Sequence, residues 1–187
     1  MTLIQVAGVD LSLTSTGIAV VTIDDDGTHR YVNRIQSKGG TGATLYDRRE
    51  RLATITAAVM AVSGSNLIVI EGPSFGSVSG SQHDRSGLWW LVVNRLLHGG
   101  DTVVEVPPTC RTKYATGAGN LGKDAVLAAA VKRYPEWDIT GNDVADAVIL
   151  AAMGARHLGH PIDNLPQVHL SAMTKIHWPA TIPGVSA

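Results

Sequence analysis

Two acidic residues occupy positions in the sequence where apolar residues would be expected. Asp10 lies inside the apolar run of residues 3–11, and Glu71 ends the apolar run of residues 67–71. Both runs are short, rich in β-branched residues and bounded by turn-forming residues, so they predict buried strands. A buried carboxylate without a partner is costly, and buried charges are normally paired or bound to a metal ion. Asp10 and Glu71 are therefore the first candidates for a chemical role.

A second pair of acids lies near the start of a predicted helix late in the chain. Asp143 and Asp146 are three residues apart and so share one face of that helix. If this face meets the two acid-bearing strands, four carboxylates converge. Such a cluster suits Mg²⁺, which prefers carboxylate oxygens, and Mn²⁺ can substitute. Two ions about 4 Å apart can activate a water and stabilise the leaving oxygen in phosphodiester cleavage, and we expect Asp10 to bridge them.

Each acid also has a purely structural explanation. Asp10 can be a satisfied acid of the core or of the following turn, and Glu71 can be an ordinary acid at a strand end. Asp143 can be a helix-terminal charge, because acids are favoured in a first helical turn. Asp146 is harder to explain in this way, since it lies among apolar residues on a helix that must bury most of its surface. The four acids together favour a shared site.

Composition is typical of a folded globular protein. The chain has 187 residues, enough for one domain with a good core, of which 44% are hydrophobic and 17% charged. The single cysteine excludes an internal disulfide and suits a reducing compartment. Without a membrane-spanning run or a basic leader, a cytoplasmic protein is expected, in the host cytoplasm if a phage encodes it. The net charge of −1 argues mildly against nucleic-acid binding, but residues 107–133 carry five basic residues against one acid.

Hydrophobic periodicity predicts three strands followed by alternating helices and strands. The predicted strands are 3–10, 17–23, 30–37, one ending at 71, and 102–106; the predicted helices are 44–62, 88–98, 123–134 and 142–158. Residues 107–122 are predicted as a loop that begins with two prolines. This order indicates an α/β fold with a mixed central sheet. Residues 1–158 are predicted to form the domain, and 159–187 a proline-containing C-terminal tail.

Four segments of the chain resemble the RuvC-type Holliday-junction resolvases of the ribonuclease H-like superfamily. They are GVDLSLTSTG from residue 8, IEGP from residue 70, TGAGNLGK from residue 116 and NDVADA from residue 142. Their joint order and spacing carry the resemblance, which covers residues 6–156. It implies a ribonuclease H-like fold with a mixed five-stranded sheet flanked by helices. It also implies a metal-dependent endonuclease that resolves four-way or other branched DNA.

The resemblance carries roles for individual residues. It implies that the catalytic acids are Asp10, Glu71, Asp143 and Asp146. It also implies a functional lysine at Lys123, which begins a helix behind a glycine-rich loop, and a second one at Lys113. Together with Arg111, these lysines are expected to form a positive surface that contacts phosphates. The alternative for either lysine is an ordinary solvated side chain.

Two further features are interpreted with the help of the resemblance. Phe75 lies in the polar loop 72–87 and can stack on an unpaired base, as a loop aromatic does in the family, or fill the local core. The predicted helix 88–98 is apolar on nearly every face, which indicates deep burial or a partner. The family uses the matching helix to form its homodimer. We therefore expect Trp89, Trp90 and Leu96 at a dimer interface.

The sequence is also compatible with other functional classes. Flap cleavage, other branched DNA and RNA–DNA hybrids are alternative substrates for the same nuclease fold. Residues 8–17 also resemble the first phosphate loop of actin-like ATP-dependent phosphotransferases, although the chain looks too short for their second lobe. A catalytically silent binding module is a further alternative, which the four acids oppose. We expect no nucleotide cofactor and no membrane association.

Overall fold

A five-stranded mixed sheet lies at the centre of the fold in a computed structural model, which describes residues 3–73 and 81–183. Its strand order is β3-β2-β1-β4-β5. Strands β1, β2 and β3 pair with one another in antiparallel order, whereas β4 is parallel to β1 and β5 is parallel to β4. The predicted mixed sheet with three antiparallel strands first is confirmed. The strands are β1 (Ile4–Asp10), β2 (Ser15–Asp24), β3 (Gly27–Gln36), β4 (Leu67–Glu71) and β5 (Val103–Val106).

Helices follow the third strand and flank the sheet. They are α1 (Leu45–Val59), α2 (Gln82–His98), α3 (Pro108–Thr116), α4 (Lys123–Arg133), α5 (Asn142–His157) and the short α6 (Gln167–Leu170). Single 3₁₀ turns occur at Met60–Val62 and Met173–Lys175. No helix in the part of the chain that the structure describes is long and apolar enough to cross a membrane.

Helix α3 corrects the prediction of a loop over residues 107–122. Pro107 and Pro108 do not end the structure here, because a proline fits the first position of a helix, where its missing N–H would have no partner. The helix ends at Gly117, whose φ of 85° suits glycine and closes the C-terminus. This extra helix carries two of the basic residues predicted to contact DNA, Arg111 and Lys113.

The two faces of the sheet bury different helices, and strand alternation decides which residues face which helix. Val6 of β1 and Val69 of β4 belong to the core that contains α3, α4 and α5. The next residues along the two strands, Ala7 and Ile70, belong to the opposite core, which contains α1 and α2. Since successive side chains of a strand point to opposite faces, the acids at the ends of β1 and β4 lie on the α5 face.

Helix α5 packs directly on the sheet and is buried from Val144 to Ala155. Two glycines allow this close approach. A Cβ on Gly8 would lie 2.1 Å from the carbonyl oxygen of Ala147, and a Cβ on Gly17 would lie 1.9 Å from that of Asp143. Real Cβ atoms are essentially never found so close to another atom. The two glycines therefore set the depth at which α5 lies on β1 and β2.

The predicted tail, through residue 183, is part of the same core. Buried apolar side chains of this segment join the cluster around α5; they are Leu165, Ala172, Ile176 and Ile182. The almost fully buried Asp163 accepts hydrogen bonds from Tyr114 and Tyr134, and it pairs with Arg156. The segment after residue 158 thus holds α3, α4 and α5 together, and it is not separate from the domain.

Candidate active site

Three carboxylates from separate elements meet at one end of the sheet. Asp10 is the last residue of β1, Glu71 is the last residue of β4, and Asp146 lies in the second turn of α5. One oxygen atom from each lies within 4.8 Å of the others. The parallel pairing of β1 with β4 matches Val9 with Ile70, so the next residues along both strands are Asp10 and Glu71. Sequence patterning predicted these three acids, and the structure brings them together.

The fourth predicted acid and the predicted lysine lie around the same cleft. Asp143 and Lys123 line it together with Asp10 and Glu71. Asp143 lies in the first turn of α5, one helical turn before Asp146, and it is outside the three-carboxylate cluster. Lys123 is the first residue of α4. The cleft therefore has acids on the sheet and α5, with one lysine beside them.

Arg111 is buried within the acidic cluster, which corrects its prediction as part of an exposed phosphate-binding surface. Its side chain is 6% exposed. The guanidinium Nε donates to Glu71 Oε2 at 2.8 Å and Nη2 donates to Glu71 Oε1 at 3.2 Å. Nη1 lies 2.7 Å from Asp146 Oδ1. The charge of Arg111 is thus committed to two of the acids, because a buried guanidinium needs partners for its donors.

A signal for this burial was present in the sequence. Cys110, Tyr114 and Ala115 are buried on α3, and Arg111 falls within the same stripe at helical spacing. An arginine inside an apolar stripe indicates a buried ion pair. The prediction of a loop over residues 107–122 is inconsistent with this helical spacing. Lys113 points away from this stripe, is half-buried, and is not among the residues that line the cleft.

Burial and mutual repulsion raise the proton affinity of the acids. Loss of hydration, followed by the negative charges of Glu71 and Asp146, raises the pKa of Asp10 well above its ordinary value. Burial also raises the pKa of Asp146 to about 7, although the positive charge of Arg111 opposes the rise. Burial alone would lower the pKa of Arg111, but the hydrogen bonds and charge of Glu71 outweigh it and raise that pKa. Arg111 therefore stays charged.

The cluster fits a divalent metal ion by its donor chemistry. One oxygen atom from each of three carboxylates lies within 4.8 Å of the others beside one arginine, and the raised pKa values of Asp10 and Asp146 indicate that the site favours additional positive charge. Hard divalent cations such as Mg²⁺ prefer oxygen ligands of this kind and need only a few protein carboxylates. The residues that would hold an ion are Asp10, Glu71 and Asp146, with Asp143 in reach of the same cleft.

The residues predicted for a dimer interface divide into inward-facing and outward-facing groups. Leu96 is fully buried in its own core, so its prediction as an interface residue is wrong. Trp89 donates its indole N–H to the backbone oxygen of Glu71 at 3.0 Å, so it supports the site of its own chain. Trp90 is 64% exposed, and Leu97, two turns further along α2, is 53% exposed. A partner would meet this outer stripe.

The two tryptophans also lie beside the cleft. Both Trp89 and Trp90 line it, and their rings meet edge to face at a centroid distance of 4.9 Å. The sequence pattern could not show which of the two tryptophans faces inward, because an almost uniformly apolar helix has no polar face to orient it. Phe75, predicted to stack on a base, lies outside the residues that the structure describes.

Proteins that are similar to this chain in sequence and in structure include RuvC proteins. The chain is similar to the crossover junction endodeoxyribonuclease RuvC of Sphingopyxis alaskensis, with 28% identity over 152 residues, or 81% of this chain and 97% of the relative. The RuvC structure of Thermus thermophilus matches with a TM-score of 0.64 at 18% identity, covering 84% of this chain and 98% of that chain. No family model matches the chain.

A viral structure shares the fold as well. The fowlpox virus resolvase in complex with its substrate Holliday junction DNA matches with a TM-score of 0.54 at 12% identity, covering 83% of this chain and 99% of that chain. At these identities the structures establish a shared ribonuclease H-like fold, and the sequence relative supports the more specific group. The order of the four sequence motifs and the clustering of three of their acids are consistent with these similar proteins. The chain is therefore similar to RuvC-type resolvases in sequence, and it shares the ribonuclease H-like fold of their structures.

Proposed function

We propose that the protein is a Mg²⁺-dependent, structure-selective endodeoxyribonuclease that resolves Holliday junctions in the cytoplasm. The observation that carries this proposal is the meeting of Asp10, Glu71 and Asp146 at one end of the sheet. Its curated relative is named for cleavage of crossover junctions, and two of the matching structures contain Holliday junction DNA. The acid cluster gives the shared fold a site that suits phosphodiester hydrolysis.

Each acid has a role in this proposal. Asp10 would bridge two metal ions, with Glu71, Asp143 and Asp146 completing their ligands. Two Mg²⁺ ions, or Mn²⁺ in their place, would activate the attacking water and stabilise the leaving oxygen. Lys123 lies at the start of α4 on the cleft, where it would contact the scissile phosphate or a neighbouring one.

DNA binding would use the basic groups that remain outside the acid cluster. Lys123 lines the cleft and Lys113 lies half-buried on α3, so both are proposed as phosphate contacts. Phe75 is proposed to stack on an unpaired base. Arg111 is not proposed as a phosphate contact, because its guanidinium is paired with Glu71 and Asp146. Phosphate contacts of this kind would supply most of the affinity for DNA.

A homodimer formed through α2 would explain a preference for four-way junctions. The outer stripe of α2 exposes Trp90 and Leu97, with Leu91 at its edge. A two-fold dimer presents two identical sites to two symmetric strands, which matches the symmetry of a Holliday junction. Flaps and other branched DNA need only one incision, and they remain the alternative substrates for a monomer.

An actin-like phosphotransferase is not favoured. Residues 3–73 and 81–183 build one five-stranded sheet with its flanking helices, whereas those enzymes hold a nucleotide between two lobes. Titration with ATP should show no binding.

The decisive experiment is cleavage of labelled four-way junction, flap and linear duplex with Mg²⁺ and with EDTA. We expect paired incision of the junction only with the metal. Asp10→Asn and Glu71→Gln should abolish cleavage and retain junction binding, because an amide keeps the side-chain shape but lacks the charge that holds a cation. Asp25→Asn, in the exposed turn between β2 and β3, is the control and should cleave normally. Wild-type cleavage by Asp10→Asn would refute the assignment of the site.

A further inference from the structure

Arg111 is an unusual neighbour for carboxylates that would bind metal. Its guanidinium makes a two-point contact with Glu71 and a third contact with Asp146, and the three side chains are 6%, 14% and 3% exposed. A guanidinium held at this depth offsets part of the negative charge of the acids, as a bound metal ion would, but it carries half the charge of a divalent ion. The protein therefore carries one positive charge of the site in its own sequence.

The net charge of the cluster bears on the number of divalent ions that it can bind. Asp10, Glu71 and Asp146 together carry three negative charges when ionised, and Arg111 offsets one of them. Two negative charges remain, which is the charge that one divalent ion neutralises. A second ion would then depend on Asp143 and on the phosphate of bound DNA for its negative partners.

We propose that Arg111 is a resident counter-charge of the metal centre. It holds Glu71 and Asp146 in place before metal binds, and it limits the DNA-free site to one tightly bound divalent ion. Arg111 is thus a positioning residue that acts through the two acids. This inference rests on the proposed metal-dependent nuclease function.

The geometry of Arg111 sets the choice of variants. A planar guanidinium can donate to both oxygens of Glu71 and also reach Asp146, whereas a lysine ammonium is a compact point charge. Arg111→Gln removes the charge, and Arg111→Lys keeps the charge but loses the two-point contact. Lys113→Gln is the matched control, because Lys113 lies on the same helix and has the same charge without contacting these acids in the described structure.

Thermal unfolding without DNA gives the first measurement. In EDTA, Arg111→Gln should lower the melting temperature strongly, because it leaves neighbouring buried carboxylates without their partner. Millimolar Mg²⁺ should restore much of this loss, so the variant gains more from the metal than the wild type does. Lys113→Gln should shift the melting temperature little, and equally in both buffers. An equal Mg²⁺ response in wild type and Arg111→Gln would overturn the proposal.

Binding of Mn²⁺ to the DNA-free protein gives the second measurement, by calorimetry or electron paramagnetic resonance. The wild type should bind one ion tightly. Arg111→Gln should bind its first ion about tenfold more tightly, because a positive charge a few ångströms from a divalent ion opposes its binding. Arg111→Lys should fall between the two. Two tight ions in the wild type, or weaker Mn²⁺ binding by Arg111→Gln, would contradict a resident counter-charge.

A double variant separates charge balance from packing. If Arg111 acts by neutralising Glu71, then Glu71→Gln should rescue the melting temperature of Arg111→Gln in EDTA. This comparison also covers an Arg111→Gln protein that is unfolded without metal, since the double variant should then fold. A double variant that is no more stable than Arg111→Gln would mean that Arg111 only fills space. These measurements use no DNA, so a failure of junction cleavage would refute the proposed substrate without affecting them.

Discussion

Replacing Gly17 by alanine should separate the acids of α5 from the acid of β1. Gly17 pairs with Asp10 across β1 and β2, and it lies directly under the start of α5. A Cβ at Gly17 would lie 1.9 Å from the carbonyl oxygen of Asp143, whereas real Cβ atoms essentially never come closer than 3.0 Å to such an atom. The helix must therefore move from the sheet by about 1.1 Å, the difference between these two distances.

This displacement is large compared with what catalysis tolerates. Asp143 and Asp146 would move with α5, whereas Asp10 stays with the sheet. Misplacement of reacting groups by about 1 Å can cost about 100-fold in rate, so we expect a loss of that order in the cleavage rate. Overpacking of a core typically costs about 1–3 kcal/mol, so the protein should remain folded but melt at a lower temperature. Junction binding should change little, because it depends on basic groups elsewhere.

Single-turnover cleavage of a labelled junction at saturating Mg²⁺ measures the effect, with melting curves and binding titrations on the same preparations. Gly40→Ala is the control, because a Cβ at Gly40 would meet no heavy atom within 4 Å, and it should behave as the wild type. If Gly17→Ala cleaves at the wild-type rate, the position of α5 does not control the chemistry, and the assignment of Asp143 and Asp146 to the site fails.

Three further predictions test electrostatics, assembly and DNA contact. Burial raises the pKa of Asp146 from 3.8 to about 7, so the folded metal-free protein binds more protons than the unfolded chain between these values, and its stability should fall as pH rises across that range. Asp146 contributes at most about 4 kcal/mol to this fall, and the raised pKa of Asp10 acts in the same direction. Melting curves in EDTA should show the fall, and Asp146→Asn should reduce it. Leu96→Glu should prevent folding, which circular dichroism will show, because Leu96 is fully buried. Trp90→Glu should leave a folded protein whose mass by light scattering is that of one chain, because Trp90 is exposed. A monomeric wild type would refute the dimer. Lys123→Ala should weaken junction binding and lower the slope of its salt dependence by about one, and an unchanged slope would mean that Lys123 does not touch the backbone.

Local patterning was sufficient to predict the sheet and most of the acid cluster. A short apolar run rich in β-branched residues and bounded by turn-forming residues favours a buried strand, and an acid within or at the end of such a run is a candidate for a site or an ion pair. This reasoning located Asp10 and Glu71. Asp146 followed because α5 is apolar on all sides, and the structure buries the helix from Val144 to Ala155.

Local patterning was not sufficient where a residue's role depends on a distant neighbour. Two adjacent prolines suggested an interruption at residue 107, but they begin α3. On that helix Arg111 is committed to Glu71, 40 residues earlier, and to Asp146, 35 residues later. The helical spacing of α3 indicates that Arg111 faces the core, but only the packing of α3 against the rest of the fold decides which acids its guanidinium meets.

The faces of α2 and the end of the chain show the same limit. A helix that is apolar on all sides has no polar stripe to orient it, so the sequence alone determined that α2 is buried or partnered. Tertiary packing then turned Leu96 inward, left Trp90 outward, and joined the Trp89 indole to the backbone of Glu71. The last segment lacks periodicity, yet Asp163 anchors it through Tyr114, Tyr134 and Arg156. Periodicity reports which side of an element is apolar, whereas the identity of the surface that covers it depends on contacts between residues far apart in the chain.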